Sequence, residues 1–241
     1  MDNSALFRTT MEPELTVKKL LVLLALSMLA ACADPVEDAK EAVKAKAKNP
    51  RGIEYRDQQV FHNDVVCGEY REDDRWGEGP GFQPFIVRAS EAYLAPSEAD
   101  VAIFCSEDPA AAIQSTLGIG PVNSQNTSLV KVYSDLSSLS AALEAYYADY
   151  NEFPSLITKK GLEALTRPRR GSAEPKDTYL AEIPVDPWGE AYIYKKPRLL
   201  HGVKGRYELY TLGRDKKEGG TGEDADVGSQ HLAYLDHIGG L

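Results

Sequence analysis

The sequence has few of the residues that most often perform catalysis or bind transition metals. Its 241 residues include three cysteines and four histidines. No two histidines stand at His-x-x-x-His or His-Glu-x-x-His spacing, and neither a Gly-x-Ser-x-Gly elbow nor a phosphate-binding loop occurs. Acidic residues are plentiful, but nothing places two of them across a cleft, as glycoside hydrolysis requires. We therefore predict that the chain is not an enzyme and that it has no small-molecule substrate.

Positive charge is also scarce. The chain carries 27 Lys and Arg against 37 Asp and Glu, which gives a formal net charge of −10. A nucleic-acid-binding protein needs a basic face to meet the phosphates, so nucleic acid is excluded as a partner. The hydrophobic fraction of 43% is ordinary for a globular chain, and the length allows one or two domains.

Long apolar runs are absent, except for one near the N-terminus. It covers residues 20–31, is interrupted by Ser27 alone, and follows Lys18 and Lys19. Spanning a bilayer takes about twenty residues, so this shorter run has the length of the apolar region of a signal peptide. It ends in residues 29–32 (LAAC), a lipobox. We predict that residues 1–31 are a lipoprotein signal peptide and that Cys32 is lipidated; the alternative is an ordinary cleaved signal.

The residues after Cys32 bear on location. Ala33, not Asp, follows the cysteine, and an Asp at that position favours retention in the inner membrane during bacterial sorting. We expect a protein of the bacterial cell envelope that contacts the membrane through its lipid anchor, at the outer membrane facing the periplasm. Residues 32–50 are charged nearly throughout and predict a lipid-anchored tether or a short surface helix.

Residues 51–112 predict a small β-rich domain. Short runs rich in aromatic and β-branched residues are separated by Gly, Pro and acidic clusters, as in an antiparallel sheet. The predicted strands are residues 59–67, 81–88, 92–94 and 100–105. Cys67 and Cys105 are the thiols that remain after lipidation, and an export signal places them in an oxidising compartment. We predict a structural disulfide between them, which would stabilise the domain by about 3 to 4 kcal/mol. The alternative, a redox-active pair, is disfavoured because the two cysteines do not have Cys-x-x-Cys spacing.

The C-terminal half predicts a helix packed on a sheet. Residues 113–125 contain Gly and Pro followed by a polar run, which predicts a linker. A regular apolar stripe then predicts a long helix that ends before Pro154. The stripe consists of Leu129, Val132, Leu136, Leu139, Leu143, Tyr146 and Tyr150. Residues 191–194 and 205–211 alternate like the strands of an antiparallel pair. The predicted fold class is α+β: a long N-terminal helix on a small antiparallel sheet, preceded by the small β-rich domain.

A glycine-rich loop near the C-terminus ends in a cluster of acids. It covers residues 210–228 (YTLGRDKKEGGTGEDADVG). Glycines let the backbone turn tightly, so carboxylates and carbonyls separated in sequence can converge, and converging carboxylates repel unless a cation lies between them. Because the loop contains neither His nor Cys, Ca²⁺ is the ion it would favour. The alternative is a solvated acidic loop without a metal.

Together with three earlier segments, this loop resembles a known family. Residues 146–154 (YYADYNEFP), 160–165 (KGLEAL) and 179–194 (YLAEIPVDPWGEAYIY) precede the loop in the order seen in the major pseudopilin of type II secretion, the G subunit. The resemblance covers residues 126–230 and leaves residues 231–241 as a tail. It implies a structural calcium ion, bound by Asp215, Asp224 and Asp226 with a backbone carbonyl near Leu212. Glu218 and Glu223 are the next candidates.

The N-terminal half departs from that family. A pseudopilin begins with a short basic leader and a long apolar helix that packs the filament core, whereas the segment after Cys32 is charged. We therefore expect a protein-interaction component related to type II protein secretion that does not form filaments, with secretion-system proteins as possible partners. The alternative is an envelope binding lipoprotein that reuses the module outside secretion.

Overall fold

A computed structural model describes residues 34–73, 79, 81–155, 161–169, 171, 177–196, 199–200, 203–204, 207–239 and 241. The predicted signal peptide and the predicted lipidation site at Cys32 lie outside the described residues. The elements are, in order, α1 Pro35–Lys46, β1 Ile53–Val60, β2 Val66–Glu72, β3 Gln83–Arg88, β4 Glu91–Leu94, α2 Glu98–Phe104, α3 Pro109–Leu117, α4 Thr127–Tyr150, β5 Ile193–Lys195, β6 Leu199–Leu200, β7 Val203–Lys204, β8 Glu208–Thr211, β9 Val227–Gly228 and α5 Leu232–Ile238. No helix in these described ranges has the length and apolarity needed to cross a membrane.

Helix α1 packs on the first sheet, so of the two alternatives predicted for residues 32–50 the described residues form the short helix and not a solvated tether. The side chain of Asp34 accepts a hydrogen bond from the Val36 N–H (3.0 Å) and caps the helix, with proline at its start. Ala39 and Val43 lie one turn apart and are buried against the four-stranded antiparallel sheet β1-β2-β3-β4. The dense charge on the other faces of α1 hid this narrow apolar stripe.

The predicted strand at residues 100–105 is instead helix α2. Ser97 and Asp100 form a reciprocal capping box, in which the Ser97 Oγ accepts from the Asp100 N–H (3.1 Å) and the Asp100 carboxylate accepts from the Ser97 N–H (3.0 Å). This signal outweighs the β-branched content of the segment. Cys105 lies at the end of α2 and is joined to Cys67 in β2 by a disulfide. The bond therefore ties the sheet to α2, which lies outside it.

The segment predicted as a linker, residues 113–125, belongs to the core. Its first residues continue helix α3, whose Ile113 is fully buried. Ile119 and Val122 follow in an irregular stretch and are also buried, in the same cluster as the apolar stripe of α4. Burial of these three apolar side chains fixes a segment whose Gly and Pro content predicted a linker.

The C-terminal module confirms the predicted α+β fold class. Helix α4 begins at the cap Asn126, whose side chain accepts from the Leu129 N–H (3.2 Å), and ends at Asn151 in the left-handed conformation. Its stripe packs on the antiparallel sheet β5-β8-β9. The buried members of the stripe are Leu129, Val132, Leu136, Leu139, Leu143 and Tyr146.

The last residues, predicted as a tail, form helix α5 and join the two halves of the chain. Leu235 is buried in the main core with α4. His237 lies against Phe104 of α2, with 5.0 Å between ring centroids, and its carbonyl accepts from the Asn63 side chain (2.6 Å). Helix α5 therefore contacts the module on one side and the N-terminal sheet domain on the other.

Candidate metal centre in the glycine-rich loop

The glycine-rich loop is the connection between strands β8 and β9. Tyr210 pairs with Gly228 and Thr211 pairs with Val227, so residues 212–226 leave the sheet and return to it at one edge. The loop also contacts the segment after α3, because the Gly222 N–H donates to the Gly118 carbonyl (2.8 Å). The sheet edge fixes both ends of the loop, and the core segment holds the loop at Gly222.

A buried aspartate holds the start of the loop. Asp186 has 3% of its surface exposed, and its Oδ2 accepts from the Thr211 hydroxyl (2.6 Å) at the end of β8. Its Oδ1 accepts the N–H groups of Trp188 (3.0 Å) and Glu190 (2.8 Å). The Asp186-Pro187-Trp188-Gly189 turn is thus fastened to the strand from which the loop emerges.

Two glycines allow the two arms of the loop to cross. Gly213 has φ +70°, and a Cβ there would stand 2.7 Å from the Glu223 carbonyl oxygen. Gly220 has φ +87°, and a Cβ there would stand 2.3 Å from the Asp224 carbonyl oxygen. Both the conformation and the close approach require glycine. The backbones of the two arms therefore lie in close contact at these two positions.

Asp224 is engaged by an arginine in this structure. Arg214 Nε lies 3.0 Å from Asp224 Oδ1, and its Nη1 lies 2.7 Å from Glu223 Oε2. The hydrogen bond to Asp224 raises the pKa of the Arg214 guanidinium, and both carboxylates add to the effect. The pair is on the surface, where water screens it, so it contributes little to stability. Arg214 supplies positive charge where the sequence predicts a metal ion.

One carboxylate oxygen of Asp226 has no hydrogen-bond partner among the described residues. Its Oδ2 accepts from the Gly219 N–H (2.9 Å), whereas its Oδ1 is buried and has no hydrogen-bond partner among the described residues. A buried carboxylate oxygen without a partner is costly, and a cation would remove that cost. Burial lowers the pKa of the neighbouring His231 ring, and the charge of Asp226 offsets part of that shift.

Asp215 and Leu212 complete the predicted set. Asp215 is exposed, and its Oδ1 accepts from the Lys217 N–H (3.0 Å), which forms a local turn. Leu212 is half-buried at the first position after β8. Within the described part of the chain, no group of three or more His, Cys, Asp or Glu side chains is arranged to hold a metal ion.

The donor type of these residues suits calcium, whereas their side chains are not gathered around one point in the described structure. All four predicted ligands offer oxygen, as Ca²⁺ prefers, and the unpartnered Oδ1 of Asp226 gives the loop a buried acceptor that a hard cation would satisfy. Calcium binding by Asp224 would compete with Arg214. Sequence reasoning missed Arg214, whose pairing with Glu223 and Asp224 on the other arm is visible only in the fold, and Asp186, whose role depends on its distant partner Thr211.

Comparison with known proteins places this module. Residues 122–230 match the family model described as "Type II secretion system (T2SS), protein G". The chain is 46% identical over 99 residues to the type II secretion system core protein G of Pseudomonas aeruginosa, covering 39% of this chain and 66% of that protein. It is 36% identical over 115 residues to the core protein G of Vibrio cholerae, covering 46% of this chain and 73% of that protein.

A third relative gives a similar result. The type II secretion system core protein G of Escherichia coli is 34% identical over 101 residues, which covers 40% of this chain and 66% of that protein. The chain thus spans about two thirds of the length of these relatives, and the match lies in the C-terminal module.

Proposed function

The chain belongs to the type II secretion system protein G family through residues 122–230, and from this premise we propose that it is a lipid-anchored component of type II secretion that works by protein contact. The observation that carries the proposal is the family module itself, joined here to a folded N-terminal domain. Helix α4 begins at a cap, and the chain before it folds back into the core as α3. This geometry favours a module that contacts partners without entering a filament core.

A groove beside the glycine-rich loop suits such contact. It has a volume of about 960 Å³ and lies between α4, β8 and the loop. Its carboxylates include Glu144 and Glu218, neither of which forms an ion pair within the described residues. The rings of Tyr147 and Phe153 stack at 4.8 Å on its wall. Carboxylates beside aromatic rings favour Lys or Arg side chains of a partner protein.

The lipid anchor at Cys32 is part of the same proposal. Asp34 already caps α1, and α1 packs on the N-terminal sheet, so one residue would separate the acylated cysteine from a folded domain. The domain would then lie directly at the membrane surface, in the envelope. Metabolic labelling with palmitate tests this: the wild-type chain should incorporate label and Cys32→Ser should not. Equal labelling of both would contradict the anchor.

Calcium is proposed as a structural ion of the loop. Asp215, Asp224, Asp226 and the Leu212 carbonyl would hold it, and the bound ion would supply positive charge between the two arms. Binding to the folded chain alone stabilises it, and calcium at the millimolar levels outside the cell can fill even a weak site. No catalytic role is proposed.

Secretion itself tests the function. In the bacterium that encodes the chain, its deletion should lower the amount of a type II-secreted enzyme in the medium and raise the amount retained in the periplasm. The wild-type gene should restore secretion, and Glu144→Lys, which reverses a charge in the groove, should not. Glu182→Lys makes the same change at an exposed position outside the groove and should restore secretion fully. Unchanged secretion after deletion would favour an envelope lipoprotein that uses the module elsewhere.

A further inference from the structure

A second cavity lies in the N-terminal domain, outside the residues that match the family. It has a volume of about 630 Å³ and opens between the end of α1, the β3–β4 hairpin and α2. Cavities of this size hold small ligands. Its walls are largely apolar, and they include Ile86, Ala92, Leu94, Pro96 and Phe104.

Arg88, at the end of β3, presents a positive charge to this cavity; the charge acts through space on the carboxylates of Glu91 and Asp100 but forms no direct ion pair with them. Its guanidinium carbon lies 4.8 Å from the ring centroid of Tyr93 and 4.6 Å from that of Phe104, so two rings hold it in place. The residue is half-buried, yet its guanidinium has no hydrogen-bond acceptor or ion-pair partner in the described part of the chain. An arginine carries five N–H donors, so the guanidinium can still donate hydrogen bonds to a ligand in the cavity.

The other charged groups of the cavity already have partners. Lys46 Nζ lies 3.0 Å from Glu91 Oε1, and the other oxygen of Glu91 accepts from the Tyr93 hydroxyl (3.0 Å). Asp100 accepts from the Ser97 N–H (3.0 Å) and from the Tyr234 hydroxyl (2.9 Å). Arg88 is therefore the group on this wall that a ligand anion would meet.

We propose that this cavity binds a monocarboxylate with an apolar body, its carboxylate on the Arg88 guanidinium and its body against the apolar wall. The planar guanidinium matches a carboxylate with two parallel hydrogen bonds, and the two rings fix its orientation in advance. A free peptide C-terminus with an apolar last residue and a fatty acid share this chemistry. The site concerns binding and does not depend on the secretion role.

The test uses the mature full-length chain and three probes in calorimetric titration: N-acetyl-leucyl-leucine, its C-terminal amide, and octanoate. N-acetyl-leucyl-leucine or octanoate should bind. Tighter binding of the dipeptide would identify a free peptide C-terminus as the ligand, and tighter binding of octanoate would identify a fatty acid. The amide should bind at least about tenfold more weakly than the dipeptide acid if the dipeptide is bound, because it lacks the charge. This comparison needs no variant and so survives any folding defect.

Two variants assign the contact. Arg88→Gln keeps much of the side-chain volume and should weaken the bound carboxylate by about tenfold or more. Arg56→Gln is the matched control, because Arg56 also stacks on a ring, that of Phe82 at 4.1 Å, but is already paired with Glu69. It should bind like wild type. Absence of binding by both acids at millimolar concentration, or equal binding by wild type and a folded Arg88→Gln, would overturn the proposal.

Discussion

The buried Asp186 gives the sharpest prediction about stability. Its carboxylate accepts three hydrogen bonds, from the Thr211 hydroxyl and from the N–H groups of Trp188 and Glu190. Asp186→Ala removes the acceptor and leaves three donors unmatched in a site where 3% of the aspartate surface is exposed. Unmatched buried donors cost about 1 to 3 kcal/mol each, and loss of the carboxylate's own desolvation offsets part of this. We expect Asp186→Ala to lower the free energy of unfolding by about 3 to 4 kcal/mol.

Asp186→Asn distinguishes the contribution of the hydrogen bonds to stability from the contribution of the negative charge. The amide oxygen can still accept from the two backbone N–H groups, and the amide nitrogen can donate to the Thr211 oxygen. That oxygen already accepts from the Gly213 N–H (3.2 Å), so the arrangement is poorer than in wild type. The expected cost is about 1 to 2 kcal/mol. Thr211→Val should cost a similar amount, because it removes one donor to Asp186 and one acceptor for Gly213.

Chemical denaturation of the mature chain measures these differences. A matched control is Glu182→Ala, which truncates an exposed acid and should change stability by less than about 0.5 kcal/mol. In a thermal melt, Asp186→Ala should lower the midpoint by roughly 6 to 16 °C. If Asp186→Ala proved as stable as Asp186→Asn, the claim that this carboxylate fastens the turn to β8 would be wrong.

Three further predictions concern the loop, the helix contact and the disulfide. Gly213→Ala should lower the free energy of unfolding by more than about 2 kcal/mol, because the added Cβ clashes with the backbone and the residue has a positive φ. Gly219→Ala is the control: there is open space around its Cβ, so it should cost only the strain of its φ of +92°. Equal losses for the two variants in denaturation would refute the clash. Burial lowers the pKa of His237, and the nearby His62 and Arg88 lower it further. As pH falls below about 6.5, the unfolded chain therefore takes up a proton before the folded chain does. The free energy of unfolding should decline from that pH down to the folded-state pKa. His237→Phe should flatten that part of the profile, and an unchanged slope would exclude His237 as its source. Replacing both Cys67 and Cys105 by Ala opens a loop of 38 residues and should cost about 4 kcal/mol, with a reductant producing the same loss in wild type and none in the variant.

Periodicity predicted the module well. The stripe of α4 is long, and its spacing leaves one face apolar, so the helix and its buried positions followed from the sequence. The antiparallel pair also followed: the strand predicted at 191–194 overlaps β5 and the strand predicted at 205–211 contains β8, with Ile193 opposite Tyr210.

Short elements that depend on tertiary contacts were missed. Helix α5 is only seven residues long, too short for a clear periodicity, and its place between the two halves depends on the contact of His237 with Phe104. The stretch from Ile113 to Val122 contains the glycines and the proline of a linker, and only burial against α4 fixes it. Helix α2 could have been recognised from its Ser97 and Asp100 capping box.

The candidate site divides in the same way. The glycines of the loop and the identity of its acids were readable, because tight crossings need glycine at Gly213 and Gly220. Which carboxylate is paired and which is not was unreadable. Arg214 pairs with Asp224, whereas Asp226 Oδ1 has no hydrogen-bond partner among the described residues. This difference depends on distances of a few ångströms between the two arms of the loop.

The most direct measurement is a thermal melt of the mature chain with about 1 mM Ca²⁺ and with chelator, in wild type and in the Asp224→Ala, Asp226→Ala double variant. At a calcium concentration 100 times the Kd, binding adds about 2.7 kcal/mol, which corresponds to roughly 5 to 11 °C. The account predicts this rise in wild type, its loss in the double variant, and a larger rise in Arg214→Gln, where no guanidinium competes for Asp224. Identical midpoints with calcium and with chelator in wild type would contradict a calcium-stabilised module.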